Sequence, residues 1–188
     1  MDVAMSNIFR AEQGVAANRE VVFRFFADPG NLPGITPTSS GARLVSVKLT
    51  EGSGREVGLA GKGSEVVISV RLLPWLPFRA QWTARITEFE YGEYFQDEQT
   101  RGPFQTWRHR HEFETAVRNG VAGTIIRDRV EYSPGFGWAG KIADVVAIRQ
   151  ILRSTFDHRH EMAARLLNAE MPNADKTTDS SASTNSTQ

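Results

Sequence analysis

Between residues 42 and 132 the chain reads as six stretches of alternating apolar and polar residues broken by turn residues. They are ARLVSVKL, SEVVISVRLL, FRAQWTARITEFE, EYFQDEQT, TWRHRHEFETAV and GTIIRDRVEY. Alternation sends successive side chains to opposite faces of a strand, so a meander of such strands has one apolar face that must be covered. One long amphipathic segment is available for this, residues 138 to 167. A rotation of about 100° per residue places Ile142, Val145, Leu152, Phe156, Ala163 and Leu166 on one side of it. The sequence therefore predicts an α+β fold, a curved antiparallel sheet wrapped around a long C-terminal α-helix. Ahead of the meander, SNIFRAEQGV reads as a first strand. NREVVFRFFADPGN reads as a short helix with Val21/Val22 and Phe25/Phe26 on its apolar face, Asn18 as N-cap and Asp28-Pro29-Gly30 as its stop.

The hairpins can be put in register from their turns. Asn119-Gly120 favours a two-residue type I′ turn, which pairs Arg118 with Val121. Phe113 then faces Ile126, His111 faces Asp128 and His109 faces Val130, while Arg108/Glu131 and Glu112/Arg127 fall on the other face. A three-residue loop Gly102-Pro103-Phe104 pairs Arg101 with Gln105. It sets Phe95 opposite His111, Asp97 opposite His109, Gln99 opposite Trp107 and Glu98 opposite Arg108. Two of the chain's four histidines, His109 and His111, thus point inward beside two carboxylates. The interleaved arginines form an outer ladder with glutamates, the pattern of a solvated face rather than of a nucleic-acid surface.

Three chemistries are open to the inward histidines. A metal site would need His109, His111 and a further ligand such as His160 or Asp128. His158 and His160 lie roughly 200° apart on a helix, so His158 is expected in solvent and no metal or cofactor is expected. Buried His–Asp pairs can satisfy each other and lock the register. They can equally line a cavity and orient a ligand. Arg149 and Arg159 fall on the apolar helix face, where each must pair with an inward carboxylate, snorkel to the edge or meet an anionic ligand group. In LLPWLPFRA, Trp75 between two prolines reads as a loop tip that packs over the sheet mouth or touches a hydrophobic ligand or membrane.

Bulk composition narrows the classes. Lys plus Arg equals Asp plus Glu at 22 each, so no global field draws in nucleic acid. The absence of cysteine excludes disulfides and thiolate metal sites. MDVAMSNIFRAEQ lacks the apolar run of a signal peptide and no stretch is long enough to span a bilayer, so a cytoplasmic protein without stable membrane insertion is expected. Residues 1–168 read as one domain and 169–188, rich in Ser, Thr, Asn and Asp, as a disordered tail.

FFADPGNLPGITP, FQDEQTRGPFQTWRHRHEFE, GTIIRDRVEYSPGFG and RQILRSTFDHRH resemble the SRPBCC superfamily, the START-type, birch-pollen-allergen-like and polyketide-cyclase-like helix-grip domains. Within it they look like the bacterial ligand-binding domains labelled cyclase/dehydrase. A similar domain occurs beside sugar-nucleotide-epimerase-like domains in proteins labelled cell-division inhibitors. The resemblance spans about residues 8 to 168. It implies a hydrophobic cavity between sheet and helix, with short helices after the first strand, and no particular reaction. Asp97, Gln99, Trp107, His109, His111, Asp128 and Tyr132, with Arg149 and Phe156 from the helix, are the candidate ligand-binding residues. The expected function is binding of a small hydrophobic or amphipathic ligand. The alternatives are a cofactor-free polyketide cyclase or dehydratase using a His–Asp base such as His109/Asp97, and a quinone or lipid chaperone making transient membrane contact through the Trp75 loop. A monomer and a homodimer fit equally well.

Overall fold

The computed structural model describes residues 6–50, 58–71, 78–118, 120–134 and 147–169. Strand β1 (Asn7–Val15) leads into helix α1 (Arg19–Ala27) and two 3-10 turns, Pro29–Asn31 and Thr38–Ser40. Six further strands follow: β2 (Arg43–Lys48), β3 (Glu65–Val70), β4 (Ala80–Glu90), β5 (Tyr94–Arg101), β6 (Phe104–Arg118) and β7 (Val121–Pro134). Helix α2 (Arg149–Ala169) comes last. All strands lie in one antiparallel sheet, ordered β1-β7-β6-β5-β4-β3-β2. The expected segment 138–146 of the long helix, with Ile142 and Val145, lies outside the described residues, as do Trp75, Asn119 and the tail from residue 170.

The alternation explains the sheet. In the β6–β7 hairpin Phe113 pairs with Ile126, His111 with Asp128 and His109 with Val130, as the turn at Gly120 (φ 80°) requires. The β5–β6 ladder pairs Phe95 with His111, Asp97 with His109 and Glu98 with Arg108, and goes no further. Gln99 is not paired with Trp107. Its side-chain Nε2 instead donates to Phe104 O (2.7 Å), which brings Phe104 back into the strand and shortens the expected three-residue loop to Gly102-Pro103. On the outer face Arg108 meets Glu98 (3.0 Å), Arg110 meets Glu88 and Glu112 (both 2.8 Å), and Arg129 meets Glu131 (2.6 Å). Such exposed pairs contribute about 0–1 kcal/mol each, so they fix register more than they add stability.

Helix α1 starts where expected, with Asn18 Oδ1 accepting from Glu20 N (2.9 Å), and stops at Asp28, whose Oδ1 accepts from Gly30 N (2.8 Å). Its buried face differs by one position from the sequence reading. Val22, Phe23 and Phe25 are buried whereas Val21 is exposed. Phe23, with no solvent exposure, sits among Phe89, Tyr91, Phe95 and Phe113 at ring separations of 5.2–6.0 Å. Helix α2 buries Leu152, Phe156, Ala163 and Leu167; Leu167 replaces the expected Leu166, which is only half-buried. Two apolar clusters result. One joins α1, the sheet and the end of α2 through Phe23, Phe95, Phe113, Ile126 and Leu167. The other joins Phe9, Val130, Tyr132, Leu152 and Phe156. Among the described residues no helix is long and apolar enough to cross a membrane.

Strand β1 approaches β7 so closely at Gly123 that an added Cβ would stand 2.3 Å from Val15 O. Only glycine permits this contact. Gly123→Ala is expected to push β1 away and lower stability by about 1–3 kcal/mol, measured by urea denaturation; a loss within error would show that the edge strand yields freely.

Candidate functional site

The two apolar clusters are separated by a polar layer, built from four elements. Strand β6 projects His109 and His111 inward, β7 contributes Asp128, β5 contributes Asp97 and α2 contributes His160. Asp128 is the centre. Its Oδ1 accepts from His109 Nε2 (2.9 Å), and its Oδ2 accepts from His160 Nε2 (2.9 Å). His111 Nδ1 lies 2.7 Å from the same Oδ1, but too far off the ring N–H line to make a directed hydrogen bond. A carboxylate accepts and never donates, so the hydrogen of His109 is on Nε2 and its Nδ1 carries a lone pair. The two strand imidazoles stand with ring centres 3.8 Å apart. Asp97 Oδ2 faces both rings from the neighbouring strand, 3.6 Å from His109 Nδ1 and 3.9 Å from His111 Nε2.

Burial governs the protonation states. The side chains of His109 and His111 are 4% exposed. Desolvation pushes both imidazoles below the usual histidine range, more strongly than their carboxylate neighbours can raise them. Burial also acts to raise the Asp128 carboxyl. The charge of His111 and the hydrogen bonds from the histidines around it outweigh that effect and hold Asp128 well below the carboxylate range. Asp97 moves the other way, raised by burial against the opposing charges of His109 and Arg159. Burial lowers Arg159 itself, against the attraction of Asp128 and Asp97.

Among the sequence candidates, Asp97, His109, His111 and Asp128 meet in this layer. Trp107 and Phe156 adjoin it, with Phe156 5.2 Å from the His109 ring, and Tyr132 packs beyond Trp107. Gln99 is half-buried and turned to the Phe104 backbone. Arg149 does not join the site; although it shares the face of Leu152 and Phe156, it stands in the first turn of α2 and is exposed there. Arg159 does lie near, half-buried, with its guanidinium 5.4 Å from the Phe156 ring centre and no ion pair at contact distance among the described residues. His160 enters the sequence reading only as a possible metal ligand and is missing from its ligand set. Its position four residues after Phe156 and three before Ala163, both inward, was the available signal. Trp82 and Phe104 complete an aromatic wall with Trp107, at ring separations of 4.8–5.5 Å.

A family model described as a domain of unknown function, DUF8410, matches residues 58–167, which include every residue of the polar layer. The chain belongs to that family. No curated protein matches it. Solved structures do. A protein from Thermus thermophilus is 14% identical with a TM-score of 0.63, covering 88% of this chain and 99% of its own. A START superfamily protein from Mycobacterium smegmatis is 11% identical with a TM-score of 0.61, covering 87% and 98%. A norcoclaurine synthase point mutant from Thalictrum, in complex with a transition-state analogue, is 13% identical with a TM-score of 0.55, covering 86% and 96%. These likenesses establish the helix-grip fold of the START and SRPBCC proteins.

The buried histidines give stability a defined pH dependence. Each has its folded value below its unfolded one, so its contribution is complete above about pH 6.5 and is lost as the pH falls, because only the unfolded chain takes up the proton. Asp128, also lowered, adds a further loss below about pH 4; Asp97, raised, works in the opposite sense above about pH 4, where the folded chain takes up its proton before the unfolded one, and so offsets part of the histidine loss. Urea denaturation is expected to show stability declining from about pH 6.5 by up to roughly 1.4 kcal/mol per pH unit for each histidine. A flat profile between pH 7 and about 5 would contradict neutral buried imidazoles.

Proposed function

We propose that the chain binds a small hydrophobic or amphipathic molecule between the sheet and the C-terminal helix, beside the polar layer. The supporting observation is a gradient of burial along the inward face. At one end Phe23, Phe95, Phe113 and Ile126 are fully packed. At the other, Trp82, Ala84, Asp97, Gln99, Phe104 and Trp107 are only half-buried among the described residues, though all belong to the inward side of β4, β5 and β6. An aromatic wall supplies affinity for an apolar body, and Asp97, Gln99 and Arg159 at its edge supply a few polar groups to orient one end. The fold is shared with an enzyme whose structure holds a transition-state analogue. The cyclase or dehydratase alternative takes His109 as base with Asp97 as its partner. The Asp97 contact at 3.6 Å is too long to orient it; Asp128 does hold the ring through Nε2, but the free Nδ1 is buried and turned to Asp97 rather than to open space.

Titration with anilinonaphthalene sulfonate, followed by dye fluorescence, tests the reading. Saturable one-to-one binding with a Kd on the order of micromolar is expected. Trp107→Ala should weaken it at least about tenfold, the equivalent of about 1.4 kcal/mol, while Val117→Ala, at a site 68% exposed, leaves it unchanged. Equal binding by the Trp107 variant, with its fold intact by circular dichroism, would count against the site.

A further inference from the structure

We propose that Asp97, His109 and His111 form a binding site for a divalent transition-metal ion, with Asp128 as the outer carboxylate that orients both histidines. One ligand atom from each of the three lies within 4.8 Å of the others. Bond lengths of about 2.0–2.2 Å around a tetrahedral ion put ligand atoms roughly 3.3–3.6 Å apart. The carboxylate-to-nitrogen separations, 3.6 and 3.9 Å, need only small side-chain movements to meet that spacing, yet both exceed hydrogen-bond length.

The placement of donors and acceptors favours a cation at this point. His109 gives its hydrogen to Asp128 through Nε2, so the Nδ1 that faces Asp97 is a lone pair. His111 places Nδ1 beside the same carboxylate oxygen, which favours its hydrogen there and a lone pair on Nε2, again toward Asp97. With Asp97 ionised, three acceptors thus converge on one point, an unfavourable arrangement for a carboxyl that burial already raises. A cation bound there satisfies all three. Binding would also tighten the outer shell, because a metal on His111 Nε2 fixes the ring and directs Nδ1–H to Asp128. That nitrogen is buried and lacks a directed hydrogen bond among the described residues. A carboxylate behind each ligating imidazole is the usual means of setting its tautomer and basicity. Here one carboxylate serves two rings, and His160 holds its second oxygen in place.

The donor set, two imidazole nitrogens and one carboxylate oxygen without thiolate, suits zinc, iron(II) or cobalt(II). Three protein ligands leave at least one coordination position open. Asp97, the ligand with the most exposed side chain at 17%, stands at the half-buried end of the inward face, so the open position is toward the proposed ligand space. The sequence led to the expectation of no metal because a helix separates His158 from His160. The third ligand comes instead from the adjacent strand.

The test uses tag-free full-length protein, stripped with chelator and titrated with Zn(II) by calorimetry and with Co(II) by visible absorption, with no organic ligand present. Failure here therefore leaves the dye-binding result standing. One metal per chain is expected, with micromolar or tighter affinity and the d–d bands of a four- or five-coordinate Co(II) site. Asp97→Ala and His111→Phe should each weaken binding at least about tenfold, Asp128→Asn by about 10–100-fold, and His158→Gln not at all. Asp97→Ala removes a partly exposed side chain and is the variant least prone to misfold. No saturable binding by the parent protein overturns the proposal. So does unchanged affinity and Co(II) spectrum in folded Asp97→Ala, which would assign the metal to another site.

Discussion

A single buried carboxylate organises the interior. Asp128 lies 2% exposed in the middle of β7, and removing such a charge from water costs several kcal/mol unless it is compensated. Compensation comes from three imidazoles delivered by two different elements, His109 and His111 from β6 and His160 from α2. The charge can be buried ionised only when hairpin and helix are both in place. The polar layer therefore links the two apolar clusters into one folding unit: His111 packs on Phe95 of the first and His109 on Phe156 of the second.

Much of this was legible in the residues, and the reasons are specific. The Asn119-Gly120 turn and strict alternation settled β6 against β7, because a slip by one residue would bury Arg108 and Arg110 and expose both histidines. The position of Asp97 followed from the turn at Gly102-Pro103-Phe104, and the register holds up to Glu98/Arg108. Beyond that point the sequence misleads. A glutamine side chain that bonds a turn backbone leaves no trace in the apolar pattern, so the Gln99–Trp107 pairing was lost. The α1 face shifted by one for a similar reason. Val21/Val22 and Phe25/Phe26 make an equally good stripe on paper, and only tertiary contacts choose Phe23 over Phe26 for the centre of the aromatic cluster.

The site itself was half visible. Strand periodicity brings together residues two apart, so His109 and His111 could be placed on one face and aimed inward. Which oxygen faces which nitrogen depends on rotamers, and on the depth of a helix that sequence alone does not dock. For this reason Asp128 looked like the partner of one histidine, whereas it serves three. Arg149 and Arg159 looked equivalent on a helical wheel. They differ in depth along the helix axis: Arg149 stands in the first turn, eleven residues before His160, whereas Arg159 adjoins His160 at the level of the polar layer.

Helix α2 is fastened at His160 twice, through the ring to Asp128 and through its carbonyl oxygen, which accepts from Gln13 Nε2 (2.6 Å). Two bonds at one level, reaching β7 and β1 respectively, oppose both rotation and sliding of the helix. A tilt about that level breaks neither. Arg149 lies eleven residues before His160, a lever of roughly 16 Å at 1.5 Å per residue. A swing of a few degrees there moves the helix start by an ångström or more while His160 scarcely shifts. Such a tilt is felt at the Leu152 end, which shares a cluster with Trp107 and Phe104, and least of all in the polar layer.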